Sequence, residues 1–140
     1  MTRLKLPYKD HEQMYRRVVF NALSGNTDTH TKNTSFMMFD DGIWHLTPCY
    51  DVICSVSIKF KSTTENHKTT INGKHKNFTY NDLIRVAEKN GIKQAPKIIQ
   101  EVIDSLLNWE KLANDNGVKN DYKEHVQSVI NDNITTLNID

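Results

Sequence analysis

The sequence predicts a mainly α domain of the α+β class, in which helices surround one functional loop and a small β-hairpin. Apolar residues recur at helical spacing near the N-terminus and throughout the second half of the chain. Between these regions, a turn signal at Asp40-Asp41-Gly42 separates two short apolar runs, which is typical of a hairpin. The length of 140 residues suits one domain over residues 1–140.

The first helix is predicted from about Lys9 to Leu23. Asp10, with Gln13 three residues later, has the spacing of a capping box and should start the helix. Gly25 should end it, because glycine readily adopts the left-handed conformation that terminates helices. One helical face carries the apolar residues Met14, Val18 and Ala22.

The hairpin is predicted as two strands, residues 35–39 and 43–46, and Thr47-Pro48 should end the second. Residues 52–78 are the least regular region, and we expect a mobile loop followed by a short turn or hairpin at Asn72-Gly73. Residues 57–76 carry five lysines against one glutamate. This local excess of positive charge is most simply a solvated segment.

Three helices are predicted after residue 78. Thr79 should cap the first through Asp82, and Gly91 should end it. The second should begin near Pro96 and continue as one helix until just before Gly117. The third should begin at another capping pattern, formed by Asp121 and Glu124.

Residues 25–33 form the most informative stretch of the chain. Five side chains able to bind a metal or a phosphate lie within six residues: Asp28, Thr29, His30, Lys32 and Asn33. A further acid, Asp51, follows the predicted hairpin in the context Pro48-Cys49-Tyr50-Asp51. Because hairpin strands are antiparallel, the residues before and after them return to the same end. We therefore expect Asn33 and Asp51 to lie close together.

The spacing of Asp28 and Asn33 indicates phosphoryl transfer. Their offset of five equals that in the catalytic loop of protein kinases, where an aspartate accepts the proton of the substrate hydroxyl and an asparagine binds magnesium. Asp51 stands where kinases carry a second metal-binding aspartate. The simpler alternative for a lone Asp28 is a turn-forming aspartate, since such residues are common in loops after helices.

The neighbouring polar residues each have two interpretations. His30 could donate a hydrogen bond to a transferred phosphate, or it could be a surface histidine. Lys32 could neighbour a phosphate or be a solvated charge. Asn26 could cap the loop or steady Asp28 through a hydrogen bond. Asn26 and Lys32 are the candidates for contacts with a nucleotide cofactor.

Composition narrows the remaining possibilities. A net charge of +1 does not favour a nucleic-acid partner, and neither a signal peptide nor a membrane-spanning run is evident, so we expect a cytoplasmic protein. Cys49 and Cys54 are then reduced and are predicted to be small core residues, not zinc ligands. The segment after Asp51 contains hydroxyls that could be modified: Ser57, Ser62, Thr63 and Thr64.

Two segments closely resemble the C-terminal domain of HipA-family Ser/Thr kinases, the toxins of bacterial toxin–antitoxin systems. They are Phe20-Asn21-Ala22-Leu23-Ser24-Gly25-Asn26-Thr27-Asp28-Thr29-His30-Thr31-Lys32-Asn33 and Trp44-His45-Leu46-Thr47-Pro48-Cys49-Tyr50-Asp51. Later positions are similar as well: Asn72-Gly73-Lys74, Asp82-Leu83, and Trp109 with Gly117. The likeness covers nearly the whole chain.

The resemblance implies a protein-kinase-like C-terminal lobe that transfers phosphate from ATP to a protein serine. Asp28 would be the catalytic base, His30 would lie near the transferred phosphate, and Asn33 and Asp51 would hold Mg²⁺. Known substrates of the family include aminoacyl-tRNA synthetases, and a partner antitoxin with a DNA-binding domain is expected. Only about nine residues precede the first helix. We therefore expect the C-lobe alone, which needs an N-lobe in trans.

Two rival functions remain open. The chain could be a non-catalytic interaction module that keeps this fold and binds a partner protein. It could also be a metal-dependent hydrolase that uses Asp28, His30 and Asp51, although such a site would favour more carboxylates around the metal. Separately, the apolar surface that an N-lobe would cover is expected to mediate self-association or to bind a partner.

Overall fold

A computed structural model describes residues 1–59 and 65–139 of the chain. In this part the fold is mainly helical, as predicted, with one two-stranded sheet. The α-helices are α1 (Tyr8–Ser24), α2 (Tyr80–Lys89), α3 (Ala95–Leu107), α4 (Trp109–Asp115) and α5 (Asn120–Leu137). The strands are β1 (Phe36–Met38) and β2 (Trp44–Leu46), and two short 3-10 helices cover Thr2–Leu4 and Thr31–Asn33.

Helix α1 lies at the centre of the fold and packs against α3 and α5, while α2 packs against α3. The side chains that are most completely buried come from α1, α2, α3 and α5: Val19, Leu23, Leu83, Ile99, Ile130 and Leu137. Burying side chains of this size stabilises a fold by roughly 1.5–3 kcal/mol each. The loop of residues 25–33 thus leaves from the C-terminal end of the helix that packs against both α3 and α5.

The predicted hairpin is confirmed. Strands β1 and β2 are antiparallel, with Met37 opposite His45. The turn is closed by the Gly42 N–H, which donates to the Phe39 carbonyl at 2.9 Å, and by the Phe39 N–H, which donates to the Ile43 carbonyl at 3.1 Å. The hairpin returns the chain to the end from which it left.

The start of α1 differs from the prediction. The helix begins at Tyr8 after Pro7, whose fixed backbone angle suits a helix entry, so no side chain caps it. The predicted capping box of Asp10 and Gln13 is therefore wrong. Asp10 lies inside the first turn, and its carboxylate instead meets the His45 Nδ1 on β2 at 3.0 Å.

The start of α2 agrees with the prediction. The Asp82 N–H donates to the Thr79 Oγ1 at 3.3 Å, and the Thr79 N–H donates to the Asp82 Oδ2 at 2.9 Å. The buried carboxylate also accepts from Lys74 Nζ at 2.6 Å and from Asn72 Nδ2 at 2.8 Å. Burial alone would raise the pKa of Asp82, but the hydrogen bonds from Lys74, Asn72 and Thr79 together lower it well below its usual range.

The second predicted helix is two helices. The chain breaks at Asn108, which ends α3 and precedes α4. The break lets the Trp109 Nε1 donate to the Lys123 carbonyl on α5 at 3.1 Å. The prediction of one continuous helix was therefore wrong. The contact between Trp109 and Lys123 joins residues 14 apart in the chain, so no local sequence pattern indicated the break.

The predicted cap of the last helix is also wrong. Helix α5 begins one residue before Asp121, after an extended Lys119, and no side chain caps it. Asp121 therefore lies in the first turn. There a carboxylate can favour the helix only through its charge near the positive end of the helix dipole.

The segment between the hairpin and α2 is irregular, as predicted. In residues 52–59 and 65–78 the regular pairing is one bridge between Ile71 and Lys74, which closes the predicted Asn72-Gly73 turn. Ser57 accepts from the Lys59 N–H at 3.2 Å. The other candidate modification residues, Ser62, Thr63 and Thr64, lie outside the described residues.

Among the helices of residues 1–59 and 65–139, none combines the length and the apolar character needed to cross a membrane.

The two capping patterns give a direct stability test. Asp82→Ala should lower the free energy of unfolding by about 1–3 kcal/mol, because it removes a helix cap and leaves Lys74 and Asn72 without their buried partner. The matched control is Asp121→Ala, which should change it by no more than about 0.5 kcal/mol. Urea unfolding monitored by circular dichroism measures both. Equal losses would contradict the assignment.

Candidate active site

Residues 25–33 leave α1 and are held on one side by the segment that follows Asp51. Gly25 ends α1 with a φ of 73°, which turns the chain away from the helix axis. Its carbonyl accepts from the Ser55 N–H at 2.9 Å. The Ser55 Oγ accepts from the N–H groups of Thr27 and Asp28, at 2.8 and 3.2 Å. Ser55 therefore fixes the backbone that carries Asp28.

The segment before α2 holds the same loop from its other side. The Lys68 N–H donates to the Thr27 carbonyl at 3.0 Å. The Thr69 Oγ1 donates to the Thr29 Oγ1 at 2.9 Å. Thr27 is buried by these contacts, whereas the side chain of Asp28 is 46% exposed. The loop thus has a fixed backbone and an accessible carboxylate.

The structure brings Asn33 and Asp51 together, as the hairpin predicted. The Asn33 Nδ2 donates to the Asp51 Oδ2 at 2.8 Å and to the Asp28 carbonyl at 3.0 Å. Asn33 lies in the short 3-10 helix after the loop, and Asp51 has a left-handed backbone with a φ of 54°. Non-glycine residues in this conformation are uncommon and cluster at functional sites.

Asp28, His30 and Asp51 form a cluster open to solvent. The His30 Nε2 lies 3.9 Å from the Asp28 Oδ2. One potential ligand atom from each of the three residues lies within 4.8 Å of the other two. Carboxylate oxygens together with the Asn33 amide oxygen are ligands that Mg²⁺ prefers. The residues present therefore fit a divalent cation.

The structure places Asn26 and Lys32 differently from each other. Asn26 is 3% exposed, and its Nδ2 donates to the Asn21 Oδ1 at 3.0 Å and to the Asp51 carbonyl at 3.4 Å. It therefore braces the backbone of Asp51. Lys32 is exposed, and its carbonyl accepts from the Tyr50 hydroxyl at 2.7 Å. That contact ties the loop to the segment that carries Asp51.

Two clefts border the segment from Thr29 to Thr34. One, of about 210 Å³, is lined by Asn26, Asn33 and Asp51 together with residues of α1. The other, of about 340 Å³, lies beside His30 and is mostly apolar. Its apolar lining comes from Met14, Val18, Phe36 and Ile71. The cluster thus lies between two spaces that could hold different parts of a reactant.

Arg17 of α1 is a polar neighbour of the first cleft. It donates one hydrogen bond to the Thr47 carbonyl, while its Nε and its other terminal nitrogen are buried without a partner among the described residues. Cys49 lines the same cleft and is exposed, because residues 48–53 run along the surface. The prediction of a core residue is therefore wrong for Cys49. Cys54 is half-buried against the core.

Three residues of this site were missed at the level of sequence: Asn21, Ser55 and Thr69. Each is hydrogen-bonded to a residue of the loop of residues 25–33: Asn21 to Asn26, Ser55 to Thr27 and Thr69 to Thr29. Ser55 and Thr69 lie in irregular regions, where no periodicity marks a serine or threonine as important. Asn21 lies within α1, where a polar side chain near the end of a helix is unremarkable.

Residues 1–129 match the family model of the HipA-like C-terminal domain. The chain belongs to this family. The match includes the functional loop, the hairpin, Asp51 and the helices through part of α5. A comparison with curated proteins found no match.

In this HipA-like domain, the segment that supports Thr27 is itself anchored by a buried histidine. The His67 ring packs edge-on against Phe78 at 5.0 Å between centroids. The His67 N–H donates to the His75 carbonyl at 2.8 Å, and the His75 Nδ1–H donates to the His67 carbonyl at 2.7 Å. Burial, with a smaller effect of the nearby His75, lowers the pKa of His67 to about 4.

This anchor should make folding pH-dependent. Between pH 6.5 and about 4, the unfolded chain binds a proton at His67 that the folded chain does not, so stability falls as the pH falls through this window. The loss should approach about 3 kcal/mol at the acid end. His67→Gln should remove this component of the slope in urea unfolding at several pH values. His11→Gln, on α1, should retain it; equal slopes in the two variants would contradict the assignment.

Proposed function

We propose that this HipA-like domain is the C-terminal lobe of a Ser/Thr protein kinase that transfers the γ-phosphoryl group of ATP to a protein hydroxyl. The observation that carries the proposal is the 2.8 Å hydrogen bond between the side chains of Asn33 and Asp51. Asn33 follows Asp28 at the spacing found in a kinase catalytic loop. Family membership supports the same function. A kinase-like lobe is the corresponding proposal for the fold.

Asn33 and Asp51 would hold Mg²⁺ in this proposal. The Asn33 Nδ2 is occupied by Asp51 and Asp28, so its Oδ1 is the atom left to bind the cation. The carboxylate of Asp51 supplies the negative ligand that a hard cation prefers. When bound, Mg²⁺ would neutralise negative charge on the phosphates of ATP.

Asp28 would act as the general base. It would accept the proton of the substrate hydroxyl while the hydroxyl oxygen bonds to the γ-phosphorus and ADP leaves. Its half-exposed side chain is accessible to a protein substrate, and Ser55 holds its backbone in place. His30, 3.9 Å from the Asp28 carboxylate, would donate a hydrogen bond to the transferred phosphate.

The two candidate cofactor contacts would act differently. Lys32 is exposed and would attract the phosphates by charge. Asn26 is buried and contacts the Asp51 carbonyl, so it would act by positioning the metal-binding segment.

The remaining kinase components would come from another polypeptide segment or chain. A kinase covers its nucleotide with a glycine-rich strand lobe that carries a lysine. The strands found in residues 1–59 and 65–139 are the two of the hairpin, each three residues long. A separate N-lobe is therefore the partner that we propose, and a DNA-binding antitoxin is the partner that the family resemblance suggests.

The hairpin and the segment after Asp51 expose apolar side chains that such an N-lobe would cover. Six of them are between 44% and 55% exposed: Met37, Met38, Phe39, Ile43, Val52 and Ile53. Exposed apolar groups that recur on one hairpin and on the segment following it indicate an interaction surface. The same surface supports the second candidate function, a non-catalytic module that binds a partner or a second copy.

The roles of the two acids can be separated in a kinase completed with its N-lobe. Asp28→Asn should slow phosphoryl transfer by about 10²–10⁴-fold with little change in nucleotide affinity, because it removes only the proton acceptor. Asp51→Asn should weaken Mg²⁺–ATP binding as well as turnover, and added magnesium should recover part of the loss. A magnesium titration of both variants tests this. Rescue of Asp28→Asn instead of Asp51→Asn would reverse the assignment.

The apolar surface can be tested on the chain without an N-lobe. We expect concentration-dependent association in light scattering, because covering water-exposed apolar groups lowers the free energy of the system. Phe39→Glu should reduce association. Leu112→Glu is the matched control, since Leu112 is equally exposed on α4, away from the hairpin. A strict monomer at high concentration, or equal effects of both variants, would count against this surface.

A further inference from the structure

We infer that Asp28, His30 and Asp51 form a binding site for a first-row transition-metal dication, with the His30 imidazole as its nitrogen ligand. The proposed kinase function uses the same residues but needs only oxygen ligands for Mg²⁺. The new inference deepens that function by assigning His30 to metal selection. Metal binding itself requires neither ATP nor phosphoryl transfer.

The geometry of the cluster is close to that of a metal site. Its three candidate ligand atoms lie within 4.8 Å of one another. With bonds of about 2.1 Å, two ligands on opposite sides of a cation are about 4.2 Å apart, and adjacent ligands are about 3 Å apart. Because three ligands include at most one opposite pair, at least two of these distances must reach about 3 Å, and shifts of up to about 1–2 Å would close the site. The side chains of Asp28 and His30 are 46% and 42% exposed, so they are free to make such shifts.

The supports of the site leave the required atoms available. Asn33 contacts only the Oδ2 of Asp51, which leaves the Oδ1 as a ligand. Ser55 contacts the backbone of Asp28 and leaves its carboxylate uncommitted. The backbone is therefore organised in advance, while the ligand atoms face few competing contacts.

Asn26 supplies an independent indication of a ligand here. It is 3% exposed and lines the cleft that contains Asn33 and Asp51. Its Oδ1 is buried and has no hydrogen-bond partner among the described residues. Buried polar atoms are nearly always paired with protein, water or an ion. The Nδ2 of the same side chain contacts the Asp51 carbonyl at 3.4 Å, so this unpaired oxygen belongs to a residue that borders the cluster.

The imidazole of His30 determines which cation the site prefers. Mg²⁺ favours oxygen ligands and gives up its water reluctantly, so it gains little from a nitrogen. Ions such as Co²⁺, Ni²⁺ and Zn²⁺ bind imidazole well. The site can therefore hold Mg²⁺ through Asn33 and Asp51, and a transition-metal ion through all three residues of the cluster.

This selectivity has a consequence that rests on the proposed function. Asp28 can act as the general base only while its carboxylate is free, and a carboxylate bound to a transition metal is not free to accept a proton. Co²⁺ bound to Asp28 should therefore inhibit phosphoryl transfer, although Co²⁺ in the Mg²⁺ position alone would support it. The transition metal acts here as an inhibitor of the base.

The test is calorimetric titration of the chain with Co²⁺ and with Mg²⁺, without nucleotide. His30→Asn should lower Co²⁺ affinity by at least about tenfold, because one of three protein ligands is lost. Mg²⁺ affinity should not change. His45→Asn is the matched control, since His45 forms the other histidine–carboxylate pair, with Asp10. Cys49→Ser is a second control, because Cys49 offers a competing sulfur in the same cleft.

Several outcomes would overturn the inference. Unchanged Co²⁺ affinity in His30→Asn, or an equal loss in His45→Asn or Cys49→Ser, would place the ion elsewhere. An equal loss of Mg²⁺ and Co²⁺ affinity in His30→Asn would assign His30 a structural role. Should that variant fold poorly, paramagnetic broadening of amide signals by Co²⁺ in the unaltered chain locates the ion. We expect residues 28–33 and 51 to broaden first, and broadening centred on residues 10 and 45 would overturn the site.

The kinase assay distinguishes this inference from the proposed function. Co²⁺ binding that depends on His30 but does not inhibit a completed kinase would uphold the site and contradict Asp28 as the base. If Co²⁺ does not bind while Mg²⁺-dependent transfer is normal, the metal site is contradicted and the proposed function stands.

Discussion

The site depends on the way the chain leaves α1 at Gly25. A Cβ atom there would lie 2.5 Å from the Val129 Cγ1 of α5 and 3.2 Å from Cys54 and Val56, and the φ of 73° is one that other residues rarely adopt. The Gly25 carbonyl also receives the Ser55 N–H. Three elements therefore meet at one residue without a side chain. A larger residue would have to displace α5 or the segment after Asp51, and either change would move the loop that carries Asp28.

Hydrogen bonds near Gly25 connect the backbone segment that carries Asp28 to the segment that carries Asp51. Ser55 links the Asp51 segment to Thr27 and Asp28, and Asn26 links the loop back to the Asp51 carbonyl. The segments that carry Asp28 and Asp51, far apart in sequence, are thus fixed relative to each other by hydrogen bonds within the protein. Holding such groups in place lowers the entropic cost of assembling a site at the moment of reaction. Asn26, which positions the backbone, is buried, whereas the carboxylates of Asp28 and Asp51 are accessible to solvent.

Local signals predicted the features that depend on neighbouring residues. The end of α1 at Gly25, the hairpin turn and the Thr79–Asp82 cap were of this kind, and the hairpin also predicted that Asn33 and Asp51 would meet. The errors arose where another contact prevailed. Pro7 set the start of α1 ahead of Asp10, and the indole of Trp109 reached α5 across a break that no helical pattern reveals. The bond from Ser55 to Thr27 spans 28 residues between irregular segments, so sequence patterns could not have indicated it.

The exposure of the cluster explains why a covering partner matters to the proposed chemistry. Charges that are half exposed interact through a high effective dielectric, so Asp28 and His30 would stabilise a developing charge only weakly in the open site. Covering the site would exclude water and strengthen these interactions without moving the residues. The hairpin between Asn33 and Asp51 exposes apolar side chains that would gain from being covered, which favours such closure. A single docking event could therefore supply the missing nucleotide contacts and also lower the dielectric around the base.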